Sequence, residues 1–463
     1  MEPITIREII EAVGGSLLGE PPDLETAITR VFIDSRKPDP GALFIPLVGE
    51  RFDGHAFIND ALEQGAAGCF TMRERESYLP GKFYIKVPGT QKALRDLAKY
   101  YKQKFRIPFI GITGSTGKTT TKDMVSAVLS ERFKVLKTDG NFNNEVGLPL
   151  TLLRLNSTHE LCVLEMGMNH FGEIEYLSSI AEPDVALITN IGDSHIEFLG
   201  SRENILKAKC EIFSHMRPDG LVILNGDDEL LAPLRHSLPQ RTVLCGTGEG
   251  LQYRAAHVAG DGERNISFEI NSPRGAFPVE VAALGDYMIY PALMAAAVAE
   301  HFGMTGEEIA AGILRFAPTK MRMNIVRRGD DITILNDAYN ANPQSMRAAV
   351  EVLAQAKGTK KIAVLGDMME LGSLAPALHA GVGDYLGKAG IDCLVAVGDL
   401  AKDIYLAASQ AMVLAVYYYK TKQEALPILA ELVEPGATVL VKASRAMEFE
   451  ELVEHLKEIT PDP

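Results

Sequence analysis

The stretch Phe109-Ile110-Gly111-Ile112-Thr113-Gly114-Ser115-Thr116-Gly117-Lys118-Thr119-Thr120 decides how the rest of the sequence is read. An apolar strand runs into a glycine-rich turn, and Lys-Thr-Thr then opens a helical pattern reaching Ser130. Glycines let backbone N–H groups close on phosphate oxygens, and a helix N-terminus adds partial positive charge. Lys118 can reach the β- and γ-phosphates of a nucleotide, and the Thr119 hydroxyl can ligate Mg2+. Gly114, Ser115, Thr116, Gly117 and Thr120 complete this cradle. The general phosphate-loop spacing is missed by one residue, because five residues separate Gly111 from Gly117.

Outward from this loop, strand patterns at 161–164, 185–188 and 221–224 alternate with helical stretches at 119–130 and 202–213. Such alternation implies a mostly parallel sheet covered on both faces. Before it, short apolar runs at 42–47 and 82–87 lie among Gly- and Pro-rich turns, as in a small α/β unit. Val87-Pro88-Gly89 reads as its boundary, followed by a helix over 91–103. Beyond Ala317-Pro318, apolar runs at 332–335, 362–365, 393–397 and 438–441 repeat the rhythm as a second, smaller doubly wound domain. The expected fold is therefore α/β with three domains: a small N-terminal unit (1–88), a central phosphate-loop-type sheet (89–317) and a C-terminal Rossmann-like domain (318–463). The length of 463 residues agrees, at about 150 residues per domain.

Composition narrows the function. With 46% apolar and 23% charged residues the chain is globular, and a net charge of −15 argues against nucleic-acid binding. The five cysteines are scattered without a CxxC pair, so neither a zinc ribbon nor a disulfide framework is written here. The N-terminus lacks the basic and apolar blocks of a signal peptide, and no apolar run approaches a membrane span. The expectation is a soluble, cytoplasmic protein. Its oligomeric state leaves no mark in the sequence.

Further polar residues follow the strands. Glu165 ends an apolar run and suits a hard cation, although a lone carboxylate after a strand is more often a cap or a solvated turn. His195 follows Thr189-Asn190-Ile191-Gly192-Asp193-Ser194, where a satisfied loop histidine is the commoner outcome. Lys209, on an amphipathic helix, would ordinarily be solvated. Asn143 and Asn144 lie in the asparagine-dense run 141–144, which suits either substrate contacts or turns. Asp337 and Asn340, in Asn336-Asp337-Ala338-Tyr339-Asn340-Ala341-Asn342-Pro343, can hold a ribose or an adenine edge, or simply turn the chain into the next helix.

Together these residues resemble the Mur ligases, ATP-dependent amide-forming enzymes of peptidoglycan precursor synthesis, over nearly the whole chain. Thr113 to Thr119 looks like the family's own phosphate loop, which accounts for the offset spacing. The segment from His195 to Ala208-Lys209-Cys210-Glu211-Ile212-Phe213 is similar to the one holding a metal-binding His and a carbamylated Lys. The resemblance thus implies that Thr119, Glu165, His195 and Lys209 hold two Mg2+ ions. Arg322 matches the arginine that reaches the γ-phosphate, and Asp337 the ribose carboxylate. The implied catalytic set is Lys118, Lys209, His195 and Arg322. Asp34-Ser35-Arg36 and Gly49-Glu50-Arg51-Phe52-Asp53-Gly54-His55 are similar to the family's UDP-sugar-binding domain, so Ser35 and Arg36 join Asn143 and Asn144 as substrate contacts. Lys442-Ala443-Ser444-Arg445 resembles the family's Lys-Gly-Ser-Arg.

Within the family, the asparagine run, Glu165-Met166-Gly167-Met168-Asn169 and the 337–345 loop are most like the member that adds D-alanyl-D-alanine to a UDP-MurNAc-tripeptide. The implied reaction passes through an acyl phosphate. Another Mur-type amino-acid or folate ligase is the nearest alternative, and a phosphate-loop kinase or GTPase a more distant one. One stretch departs from the family. Its Gly-x-His-Asn-Val-x-Asn-Ala-Leu segment reads here Gly285-Asp286-Tyr287-Met288-Ile289-Tyr290-Pro291-Ala292-Leu293, without either asparagine. The adenine contact implied by the family is therefore made differently, or base selectivity is relaxed.

Overall fold

Alternate residues of the central strands go to opposite faces, and both faces are apolar. Ile110, Ile112, Val163, Leu187 and Ile223 join one buried cluster, while Phe109, Cys162, Leu164, Ile188 and Leu224 join another. A strand buried on both sides must be covered by helices on both sides, which is the geometry of a crossover-connected parallel sheet. The computed structural model describes residues 1–19, 23–49, 52–329 and 332–458 and has this architecture.

The central sheet orders its strands Val135–Lys137, Leu161–Glu165, Phe109–Thr113, Val185–Ile188, Leu221–Asn225, Arg241–Gly246 and Tyr253–Gly260, all parallel. Two antiparallel strands, Ile266–Ser272 and Gly275–Val281, extend its far edge. This extension was not among the strands expected from sequence. The stretch expected as one helix over 202–213 is an α-helix at Arg202–Cys210 that tightens into a 3-10 turn at Glu211–Phe213. The helices Lys118–Leu129 and Ile289–His301 bury one face of the sheet. Ile289–His301 is apolar all round and almost wholly buried, as a helix between a sheet and its neighbours must be. Among the described residues no helix is long and apolar enough to cross a membrane.

The N-terminal sheet runs Ser16–Leu18, Phe83–Lys86, Gly68–Thr71, Leu43–Phe44, Val31–Phe32. Its apolar run at 42–47 yields only two residues of strand. Helix Thr90–Lys102 fastens this unit to the central one: Glu2 N–H donates to the Tyr101 hydroxyl, which itself donates to Leu155 O at 2.6 Å. In the C-terminal sheet, Ile332–Asn336, Ala437–Lys442, Lys360–Gly366, Cys393–Val397 and Ala415–Tyr419 are parallel, with Asn324–Arg328 antiparallel at one edge. The connection from the central domain is held in place. The Thr319 hydroxyl donates to the buried Asp123 carboxylate, Arg322 N–H donates to Thr319 O at 3.1 Å, and Asn324 Nδ2 donates to Pro318 O at 3.2 Å.

Candidate active site

The glycine-rich loop leaves the carboxyl end of a fully buried central strand, where ligands gather in open α/β sheets. Gly114 sits at φ +149°, and a Cβ there would lie 1.8 Å from Thr189 Oγ1. Gly117, at φ +74°, precedes the helix Lys118–Leu129 and faces open space. The loop is stapled to the segment after the next strand. Ser115 N–H donates to Asn190 O at 3.0 Å, Thr116 N–H to Asn190 Oδ1 at 2.9 Å, and Thr189 Oγ1 to Thr116 O at 2.6 Å. Gly192 N–H donates to Ser115 Oγ at 2.9 Å. Lys118 curls back so that Nζ donates to Gly114 O at 2.8 Å. Burial lowers its pKa and nearby Arg322 lowers it further, against the attraction of Glu165.

Beside the loop, Glu165 is buried at the end of its strand, with Oε1 accepting from Asn143 Nδ2 at 2.8 Å. Its other oxygen, Oε2, is buried without a hydrogen-bond partner among the described residues. A buried anionic oxygen next to a phosphate cradle fits a hard cation. Lys209 is 1% exposed, and burial, reinforced by Lys118, drives its pKa well down. No hydrogen bond or ion pair reaches its side chain among the described residues. His195, in the left-handed region at φ +63°, places Nδ1 2.6 Å from Glu370 Oε2, off the axis of a good hydrogen bond. The imidazole holds the Glu370 carboxyl below its ordinary pKa.

The facing wall comes from the C-terminal domain. The Arg322 guanidinium stacks over the Tyr339 ring at 4.0 Å. Asp337 accepts from Met323 N–H at 3.1 Å and, at Oδ2, from the buried Lys442 ammonium, which also donates to Asn340 O at 2.9 Å. Asn340 itself is exposed, its Oδ1 accepting from Ala341 N–H at 2.9 Å. Asn342 Nδ2 reaches across to Ser194 Oγ at 2.7 Å. Between the walls lies a cleft of about 940 Å3 lined by the phosphate loop, His195, Arg322, Asp337, Asn340 and Lys442.

The structure thus brings the loop residues, His195, Arg322, Asp337 and Asn340 around one cavity, with Glu165 and Lys209 buried and electrostatically coupled to Lys118. Asn144 is exposed, and its side chain caps the turn to helix Gly147–Leu152 by accepting from Gly147 N–H at 2.9 Å. Ser35 and Arg36 lie in the N-terminal domain, outside that cavity, and Arg36 forms a two-pronged pair with Asp34 at 2.8 and 2.9 Å. Glu50 and Arg51 lie outside the described residues. Tyr287, Tyr290 and Pro291 of the atypical segment line the cavity. Pro291 sits in the first turn of its helix, where a missing N–H is harmless, and Tyr290 donates to Asp227 Oδ2 at 3.1 Å. Burial and Asp227 push the Tyr290 phenol up to about 12. Sequence reading passed over Asn190, which staples the loop, and Glu370. The first lay in a polar stretch already noted beyond a strand, whereas Glu370 carried no local signal.

Three family descriptions match along the chain: "Mur ligase family, catalytic domain" at 27–102, "Mur ligase middle domain" at 112–299 and "Mur ligase, glutamate ligase domain" at 321–445. A UDP-N-acetylmuramoyl-tripeptide–D-alanyl-D-alanine ligase of Bacillus subtilis (strain 168) is 40% identical, with 98% of each chain covered. The chain belongs to the Mur ligase family. A crystal structure of MurF from Acinetobacter baumannii matches this Mur ligase with a TM-score of 0.92 at 33% identity, covering 99% of both chains. A MurF ligase from Thermotoga maritima, solved in complex with ADP, matches it at 0.83 and 29% identity, over 93% of this chain and 97% of that one. In this Mur ligase, no three His, Cys, Asp or Glu side chains among the described residues converge on one point. A cation there would be completed by phosphate oxygens and water, as Mg2+ usually is.

Proposed function

We propose that this Mur ligase joins D-alanyl-D-alanine to a UDP-MurNAc-tripeptide at the expense of ATP. The observation that carries the reading is the single cleft in which a phosphate loop on one domain faces Arg322, Asp337 and Lys442 on another. A kinase or GTPase needs no such second wall, whereas a ligase must bring nucleotide, carboxylate and amine together. The relatives named above as D-alanyl-D-alanine ligases support the choice of acceptor.

In this reading residues 1–88 take the UDP-sugar through Ser35 and Arg36, residues 89–317 take ATP, and residues 318–463 close over both. The Gly114–Thr120 amides and hydroxyls cradle the phosphates, Asp337 and Asn340 hold the ribose side, and Asn143 and Asn144 contact the peptide. The terminal carboxylate of the tripeptide attacks the γ-phosphorus, giving an acyl phosphate and ADP. The dipeptide amine then attacks the acyl carbon, and phosphate departs with the former carboxylate oxygen. Lys118, released from Gly114 O, and Arg322 neutralise charge on the transferring phosphoryl group. Closure excludes water that would hydrolyse the acyl phosphate.

Thr119 and Glu165 would hold one Mg2+, and His195 with Lys209 a second. Bound Mg2+ neutralises the crowded phosphate oxygens. An ammonium offers donors only, so Lys209 serves as a ligand once its neutral amine has taken up CO2, releasing a proton and leaving an anionic carbamate. The burial that depresses its pKa favours the neutral amine this step requires. The test is ADP release with ATP and Mg2+: it appears only when UDP-MurNAc-tripeptide and D-alanyl-D-alanine are both present. Turnover with neither, or with glutamate in place of the dipeptide, contradicts the reading.

A further inference from the structure

His195 and Glu370 belong to different domains, and both are left-handed at φ +63°. That region is costly for residues bearing a Cβ, and it persists where the surroundings over-determine it. The surroundings of Glu370 do so. Its loop follows the strand Lys360–Gly366 and is tied at successive residues. Ala401 N–H donates to Asp367 Oδ1 at 2.7 Å, Met368 N–H to His379 Nε2 at 2.9 Å, and Met369 N–H to Ser444 Oγ at 2.9 Å. Ser444 N–H closes the ring onto Asp367 O at 3.0 Å. On the other side, Glu197 N–H donates to Glu370 O at 3.3 Å. A rigid loop of the C-terminal domain therefore delivers one carboxylate to Nδ1 of one histidine of the central domain.

A carboxylate at Nδ1 selects the tautomer protonated there and leaves the Nε2 lone pair free. We propose that Glu370 is the positioning residue for His195, fixing its tautomer and making its orientation a property of the closed pair of domains. Nε2 then faces the cleft as an acceptor only when the C-terminal domain is in place. At 2.6 Å the Nδ1–Oε2 approach is within hydrogen-bond reach, though off the best axis, a looseness that does not rule out a catalytic contact. Glu370 touches neither substrate nor phosphate in this scheme; it acts through His195. The inference rests on the ligase reading for its functional consequence, though not for its structural content.

The test uses the full chain with 15N-labelled imidazoles, His195 signals being assigned by their loss in H195N. The expected parent spectrum shows His195 protonated at Nδ1, sharpened by a non-hydrolysable ATP analogue with Mg2+. E370A should lose that tautomer and at least tenfold in kcat, with KM for ATP within threefold. E370Q, whose Oε1 still accepts from Nδ1–H, should keep the tautomer and recover most of kcat. E370A with parental His195 signals overturns the proposal, whether or not kcat falls. A parent enzyme that releases no ADP would instead refute the ligase reading, and the ring signals would still decide the role of Glu370.

Discussion

Alanine at Gly114 should be far more damaging than alanine at Gly117, although both glycines have positive φ in the same loop. At Gly117 nothing lies within 4 Å of a built Cβ, so the penalty is the left-handed backbone alone, about 1–2 kcal/mol. At Gly114 the Cβ would meet Thr189 Oγ1 at 1.8 Å, and no rotamer of the new methyl relieves that. Thr189 must move, which removes its 2.6 Å hydrogen bond to Thr116 O, about 1 kcal/mol. Shifting packed backbone adds roughly 1–3 kcal/mol and the positive φ about 1–2 kcal/mol, for a total of ~3–6 kcal/mol. A domain of this size loses about 2–4 °C in Tm per kcal/mol. Thermal unfolding of the full chain should thus fall by roughly 6–24 °C in G114A and by roughly 2–8 °C in G117A. Equal shifts in the two variants would show that the Thr189 staple is not what holds this loop.

Lys118→Ala should lower kcat/KM by at least ~100-fold, the scale of removing a preorganised charge contact, while thermal unfolding stays near the parent's. Lys442→Met should destabilise the chain by about 2–3 kcal/mol in urea, because it strands the partly buried Asp337 carboxylate, and adding Asp337→Asn should recover part of the loss. His379 is fully buried with Nδ1 donating to Ala375 O and Nε2 accepting from Met368, and burial holds its pKa below the ordinary value. Its folded form resists protonation, so the stability it contributes is complete above about pH 6.5 and is lost as pH falls below that; H379Q should flatten this slope in urea midpoints measured from pH 7.5 to 5.5.

The parts of the molecule legible in sequence were those whose signal is local. Leu161–Glu165, Val185–Ile188 and Leu221–Asn225 are continuous apolar runs because both faces are covered, so their ends fell within a residue of expectation. Tyr253–Gly260 escaped notice because its second half is exposed although strands flank it on both sides, and its apolar pattern is correspondingly weak. The phosphate loop was readable since glycine, lysine and threonine do their work within one turn of chain. Glu370 was not, because its meaning depends on a meeting with His195 across two domains. The burial of Lys209 and of Glu165 Oε2, which has no hydrogen-bond partner among the described residues, was likewise invisible, since burial is a tertiary property.

The central claim, carboxyl activation by phosphoryl transfer, is tested most directly by isotope transfer. A UDP-MurNAc-tripeptide labelled with 18O in its terminal carboxylate is turned over with unlabelled ATP and D-alanyl-D-alanine, and the released phosphate is analysed by mass. The account predicts one 18O atom in each phosphate formed, carried over when the amine displaces it from the acyl carbon. Phosphate free of label, with dipeptide nonetheless incorporated, would contradict it.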